Sequence, residues 1–175
     1  MQVLLRPLAM QDVPELSKLL TLQANYLQPW EPERAPSYFT EDGQRELART
    51  AIAAREAGTR APFVICSDSG AIVGVLNLSG IVRGALQSCA LGYWVRSELT
   101  GRGYATSAVA QAVDFAFDEL HLHRVQAETL PENIASQRVL AHNGFRQYGM
   151  APEYLSIAGR WRDHLMFQKI SPHAR

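Results

Sequence analysis

Four segments carry apolar residues at three- and four-residue spacing. Ala105, Ala108, Val109, Ala112, Val113, Ala116, Phe117 and Leu120 form one face of a long helix, with Ser107, Gln111, Asp114, Asp118 and Glu119 mostly on the other side. Val13, Leu16, Leu19 and Leu20 predict a helix over 9–22, with Asp12 and Glu15 early, where the dipole favours acids. Leu47, Ala48, Ala51 and Ile52 predict another over 41–56, closed near Gly58. A short one over 134–142 is capped by Asn133 and stopped by Asn143-Gly144, after which Phe145 returns to the core.

Strand-like runs fill the intervals. They cover 3–5, 62–66 and 71–79 (a hairpin across Asp68-Ser69-Gly70), then 86–95 and 124–129. A last hairpin joins 154–157 to 161–169 and turns at Ala158-Gly159-Arg160. The segment 25–40 holds Pro29, Pro32 and Pro36 and is expected to be a loop. The order β α α β β β α β α β β predicts a mixed α/β sandwich, with a largely antiparallel sheet and helices on both faces.

A chain of 175 residues that is 47% hydrophobic is expected to form one domain, 1–175, with an ordinary core. With 17 basic and 17 acidic residues the formal charge is zero, so bulk electrostatics draw it to neither nucleic acid nor membrane. There is no signal-peptide pattern and no membrane-length apolar run, and a cytoplasmic protein is expected. Cys66 and Cys89 lie in strand-like runs and read as buried thiols. His121 and His123 are read as closing a helix end rather than binding metal, since no third ligand is evident.

The chemistry concentrates where the strand ending Leu91-Gly92-Tyr93-Trp94-Val95 runs through Thr100-Gly101-Arg102-Gly103-Tyr104-Ala105-Thr106 into the long helix. A helix start offers unpaired N–H groups and partial positive charge, two glycines permit close approach, and Arg102 adds a forked cation. This suits a phosphate, although a glycine turn that merely joins two elements fits the same residues. It is neither GxxxxGK[ST] nor the dinucleotide GxGxxG.

Together with Pro131-Glu132-Asn133-Ile134-Ala135-Ser136-Gln137-Arg138-Val139-Leu140 and Asn143-Gly144-Phe145, these motifs resemble the GNAT N-acetyltransferase superfamily. More narrowly they look like its RimJ/RimL branch, which acetylates protein N-terminal amines, and Leu27-Gln28-Pro29-Trp30-Glu31-Pro32, Ile81-Val82-Arg83-Gly84 and Gly159-Arg160-Trp161-Arg162-Asp163-His164 are similar to the RimJ group in particular. The resemblance implies the GNAT fold, a twisted sheet of about seven strands whose fourth strand, ending at Val95, and fifth, 124–129, splay to admit acetyl-CoA. It implies pantetheine contacts from Tyr93, Trp94 and Val95, pyrophosphate contacts from the N–H groups of Arg102, Gly103, Tyr104, Ala105 and Thr106, and a cofactor contact from Asn133. Thr100 departs from the Arg or Gln usual at its position. The resemblance also places Ser136 near the thioester sulfur as proton donor and Glu153 as base. Glu128, on the strand edge facing the gap, is a second candidate base. No metal is implied.

Tyr26, Trp30, Tyr38 and Phe39 in the proline-rich segment are either an acceptor wall, with Trp30 and Tyr38 as substrate-binding residues, or a cover for the core edge. Tyr93 and Cys89 alternate on the strand that feeds the phosphate turn and are further candidates to line the site. An α-amine titrates near ~7.8 and a lysine near ~10.4, so an N-terminal acceptor needs only a modest base. With no Cys–His or Ser–His pair in view, direct attack in a ternary complex is expected. The expected acceptor is a protein N-terminus, by resemblance a ribosomal one. A small amine, or a CoA-binding assembly module without turnover, are the alternatives. The chain is expected to work as a monomer or homodimer, without membrane or nucleic-acid partners.

Overall fold

The structure is a computed structural model that describes residues 3–172. Seven strands form one sheet in the order β1-β2-β3-β4-β5-β7-β6. They are β1 (Leu4–Pro7), β2 (Ala61–Cys66), β3 (Ile72–Val82), β4 (Ser88–Val95), β5 (Arg124–Thr129), β6 (Arg146–Ile157) and β7 (Arg160–Ile170). The helices are α1 (Val13–Leu27), α2 (Glu41–Glu56), α3 (Tyr104–Asp114) and α4 (Ile134–His142). All neighbouring strands are antiparallel except β4 and β5.

Two apolar clusters sit on opposite faces. On one face, Val109, Ala112 and Val113 of α3 and Leu140 of α4 pack with Ile65, Leu76, Leu91, Val125, Ala127 and Phe167. On the other, Val13, Leu16 and Leu20 of α1 and Ala48 and Ala51 of α2 pack on Val64, Cys66 and Ile72, with Val75 and Trp94 beside them. Side chains alternate along a strand, so the odd positions 91, 93 and 95 of β4 face α3 and α4, and the even positions 92 and 94 face the other way. Both cysteines are free and buried, as expected.

α2 and α4 have the expected bounds because each has a side-chain cap: Thr40 Oγ1 accepts from Gly43 N at 3.1 Å, and Asn133 Oδ1 from Ser136 N at 3.1 Å. Other elements differ from expectation. α1 continues to Leu27, where Pro29 enters a short 3-10 turn, Gln28–Trp30, and a second such turn spans Pro36–Phe39. β6 starts eight residues before Tyr154, at Arg146. The regular part of α3 stops at Asp114, and a π turn, Phe115–Glu119, completes the helix. Arg83 Nη1 rather than a histidine bonds the Leu120 carbonyl at its end. Leu47 is exposed and Gln44 is buried instead, donating to the Tyr38 carbonyl at 2.5 Å. Gln111, expected on the polar side of α3, reaches β1: its Oε1 accepts from Leu5 N at 3.0 Å and its Nε2 donates to Val3 O at 2.9 Å.

Candidate active site

The sheet opens where its one parallel pairing ends. β4 and β5 pair only at Ser88–Arg124, Cys89–Val125 and Ala90–Gln126. Beyond Ala90 and Gln126 the strands separate, and their facing edges border a cleft of about 1100 Å³. Leu91–Val95 line one side and Ala127–Leu130 the other, while Asn133, Ser136 and Arg138 of the α4 region close one end.

The turn into α3 forms the mouth of this cleft. Gly101 (φ +72°) and Gly103 (φ +83°) occupy the left-handed region that disfavours side chains. Gly103 caps α3 without a side chain, so no side-chain acceptor takes up the first N–H groups of the helix. Thr100, Gly101, Gly103, Tyr104, Ala105 and Thr106 line the cleft. Arg102 is exposed and outside the lining, and its N–H is engaged by Leu99 O at 3.3 Å within the turn. Thr100 turns its hydroxyl back to Ser97 O at 2.8 Å. Buried Asn143 braces the mouth from α4, donating to Thr106 O at 3.2 Å and Val139 O at 2.9 Å. A pyrophosphate fits this frame: it needs N–H donors, a positive dipole end and room at Cα, and the turn supplies all three.

At the centre, the Tyr93 hydroxyl lies 3.0 Å from Ser136 Oγ. Burial pushes the Tyr93 phenol up to about 12, against a smaller opposing pull from Ser136, so it stays protonated. Glu128 stands across the gap. It shares a sheet face with Gln126, which bonds Ser88 Oγ at 3.1 Å and donates to Tyr148 Oη at 2.7 Å. Burial raises the Glu128 carboxyl, only partly opposed by its own backbone N–H. Glu153 is exposed on β6, where pairing shifts between Ala151 and Leu155, and it is outside the cleft lining. Its N–H donates to Asp163 Oδ1 at 2.9 Å, which fixes the bulge.

Trp30, Tyr38 and Tyr26 line the cleft, whereas Phe39 packs on the α1/α2 core with Tyr38 edge-on at 5.2 Å. The aromatic segment thus lines the cleft and covers the core edge at once. Cys89 lies in the core, with burial pushing its thiol up to about 12, and is not in the lining.

Further polar residues reach the cleft. Glu31, raised by burial despite Arg34 at 3.4 Å, lies beside Tyr38, whose ring carries the Arg34 guanidinium at 4.5 Å. Arg60 holds Asn77 Oδ1 at 2.9 Å, and burial lowers its pKa. His164 is buried, with Nδ1 3.0 Å from the Arg162 carbonyl. A carbonyl only accepts, so Nδ1 is the donor in this contact. Glu31 and His164 both fall in motifs that carry the resemblance; Arg60 and Asn77 have no such signal. Among the described residues no group of three or more His, Cys, Asp or Glu is placed to hold a metal ion.

A model of the acetyltransferase (GNAT) domain matches residues 2–146. The ribosomal protein uS5-alanine N-acetyltransferase of Escherichia coli (strain K12) is 31% identical over 93% of this chain and 84% of its own. The Mycobacterium smegmatis RimJ structure in complex with CoA-disulfide is 37% identical and superposes with a TM-score of 0.92, covering 97% of this chain and 82% of that one. The ribosomal-protein-S5-alanine acetyltransferase of Vibrio fischeri is 29% identical with a TM-score of 0.95, covering 100% and 96%.

Proposed function

Since the chain belongs to the GNAT acetyltransferase family, and is an acetyl-CoA-dependent N-acetyltransferase of RimJ type, we propose that its acceptor is the N-terminal α-amine of a protein, ribosomal as in its relatives. The observation that carries this reading is the two-sided gap. The Tyr93–Ser136 pair faces it from the α3/α4 side and Glu128 from the opposite face of the sheet. Donor and acceptor thus enter from different faces and meet between two strands.

The thioester of acetyl-CoA supplies the carbonyl carbon that the amine attacks. The N–H groups of Tyr104, Ala105 and Thr106 would hold the pyrophosphate, and the exposed edge of Tyr93, Trp94 and Val95 would bind the pantetheine arm. Asn133 contacts the cofactor and caps α4 at the same time. Glu128 takes the proton that the nitrogen loses as the C–N bond forms. Ser136 gives its hydroxyl proton to the leaving sulfur as the C–S bond breaks, Tyr93 replaces it, and Tyr93 regains a proton from solvent in the open cleft as Glu128 releases its own there. An α-amine suits this arrangement, because at neutral pH roughly a tenth or more of it is already unprotonated. A partly buried carboxylate is then base enough. Trp30 and Tyr38 wall the acceptor side.

Beside Glu128 the same sheet face carries Gln126 of β5, Tyr148 of β6 and Gln168 of β7, which supports an acceptor longer than a small amine. Such an acceptor puts the reaction in the cytoplasm, and the chain works there as one catalytic domain. The test is thiol release from acetyl-CoA with peptides differing at the first residue. Turnover on Ala- or Ser-initiated peptides is the expected result. Turnover on small amines alone would overturn the acceptor assignment, and cofactor binding without turnover would point to a binding module.

A further inference from the structure

Two glycines sit in neighbouring central strands for opposite reasons. On β3, a Cβ at Gly74 would lie 2.2 Å from the Trp94 carbonyl oxygen, so the close approach of the strands demands glycine. On β4, Gly92 has no such constraint. Its φ is outside the left-handed region, and a Cβ there would meet nothing within 4 Å. Glycine in a strand interior costs stability and packs nothing, and it often marks close approach of a ligand. The bare position therefore calls for a reason outside the fold.

Its location supplies one. Gly92 is exposed and lines the cleft. It pairs with Asn77, which Arg60 holds, and its even position puts it on the face of Trp94, away from α4. The last β4–β5 pair is Ala90–Gln126, so Gly92 and Glu128 are each two residues beyond it and project to the same face of the sheet. A Cβ at 92 would project into the space over which an acceptor amine reaches Glu128.

We infer that Gly92 is a specificity-determining residue: its missing side chain keeps open the lane by which the acceptor's first residue passes over β4 to the gap. The inference rests on the acceptor side assigned by the proposed function. A larger residue there leaves the cofactor half, on the other face, as it is.

The test uses the full chain with Gly92→Ala and Gly92→Val, an Ala-initiated hexapeptide and glycinamide as a slender α-amine. The thermal midpoint of Gly92→Ala should be no lower than that of the unmodified chain, and acetyl-CoA affinity should change less than about twofold. KM for the hexapeptide should rise several-fold for Ala and about tenfold or more for Val, the scale on which a few methyl groups discriminate in a shaped site. Glycinamide should be affected less. An unchanged hexapeptide KM in Gly92→Val, or a rise in KM for acetyl-CoA instead, would overturn the inference. If Gly92→Val does not fold, Gly92→Ala and Gly92→Ser carry the same comparison. Should the unmodified chain acetylate glycinamide and no peptide, the protein-acceptor reading fails alone. The Gly92 inference is then read on glycinamide, where a loss graded with side-chain size supports it and a flat response overturns it. A chain inert on both acceptors overturns both.

Discussion

Burial keeps the Tyr93 phenol protonated through the neutral range, so the 3.0 Å contact to Ser136 Oγ has a proton to relay. Removing the phenolic oxygen in Tyr93→Phe should lower kcat by about 10²-fold, the low end for a general acid, with KM for acetyl-CoA little changed. Steady-state kinetics on the preferred acceptor would show the split. Glu128 works in the other direction. Burial raises its carboxyl above the ordinary glutamate value, so the ascending limb of kcat/KM against pH should lie higher than for a free glutamate. In Glu128→Gln that limb should disappear, leaving only the limb of the acceptor amine at about 7.8, and activity at neutral pH should fall by about 10²-fold. The same shift has a stability sign. The folded state holds this proton more tightly than the unfolded chain, so stability falls as pH rises through the folded pKa. Glu128→Gln should therefore melt no lower than the unmodified chain at neutral pH, and the two should converge in acid. Thermal unfolding at the two pH values checks it. Of these residues, Ser136 and Asn133 were readable because they stand in one contiguous motif. Arg60 and Asn77 were not, since they meet in the cleft only through the β2–β3 pairing.

Segments with their own punctuation were legible and those without it were not. α4 ran as expected from Asn133 to Asn143-Gly144, and β5 kept its bounds because its apolar positions alternate. β6 did not, because Gly149, Pro152 and two register shifts erase any period of two, and it is largely exposed at the sheet edge. α1 outran its apolar stripe because buried Gln23 prolongs it, accepting from Ser97 N at 2.9 Å below the phosphate turn. The cap of α4 gives an element-level test of a double role. Asn133→Ala should cost about 1 kcal/mol, which is about 2–4 °C in a chain of this size. Asn133→Asp keeps an acceptor for the Ser136 N–H and should restore most of the melting temperature. If Asn133 also touches the cofactor, KM for acetyl-CoA should stay raised in Asn133→Asp although the helix is repaired. Recovery of both would leave the asparagine a cap alone.

The sheet is in effect two half-sheets, β1–β4 and β5–β7, held by three residue pairs and by α3 and α4 across their common face. A ligand spanning the gap touches both, so binding should tie them together. At a hundred times Kd, CoA should add about 2.7 kcal/mol to the folded state, raising the melting temperature by about 5–10 °C. A scanning-fluorimetry titration reads this directly, and an absent shift would mean that CoA does not bind the folded chain. The charge balance of 17 against 17 also means that general attraction is not what brings an acceptor to the gap. Local shape must do it. The outer borders of the sheet are just as unequal. Gln111 sets its amide against the free side of β1, giving Leu5 N and Val3 O the two partners a neighbouring strand would have given. That side chain acts as a counterfeit strand one residue long, and it blinds this border to stray chains. Among the described residues no side chain is set against the outer edge of β6 in this way, so a continuation of the sheet from one molecule to the next would start there more readily.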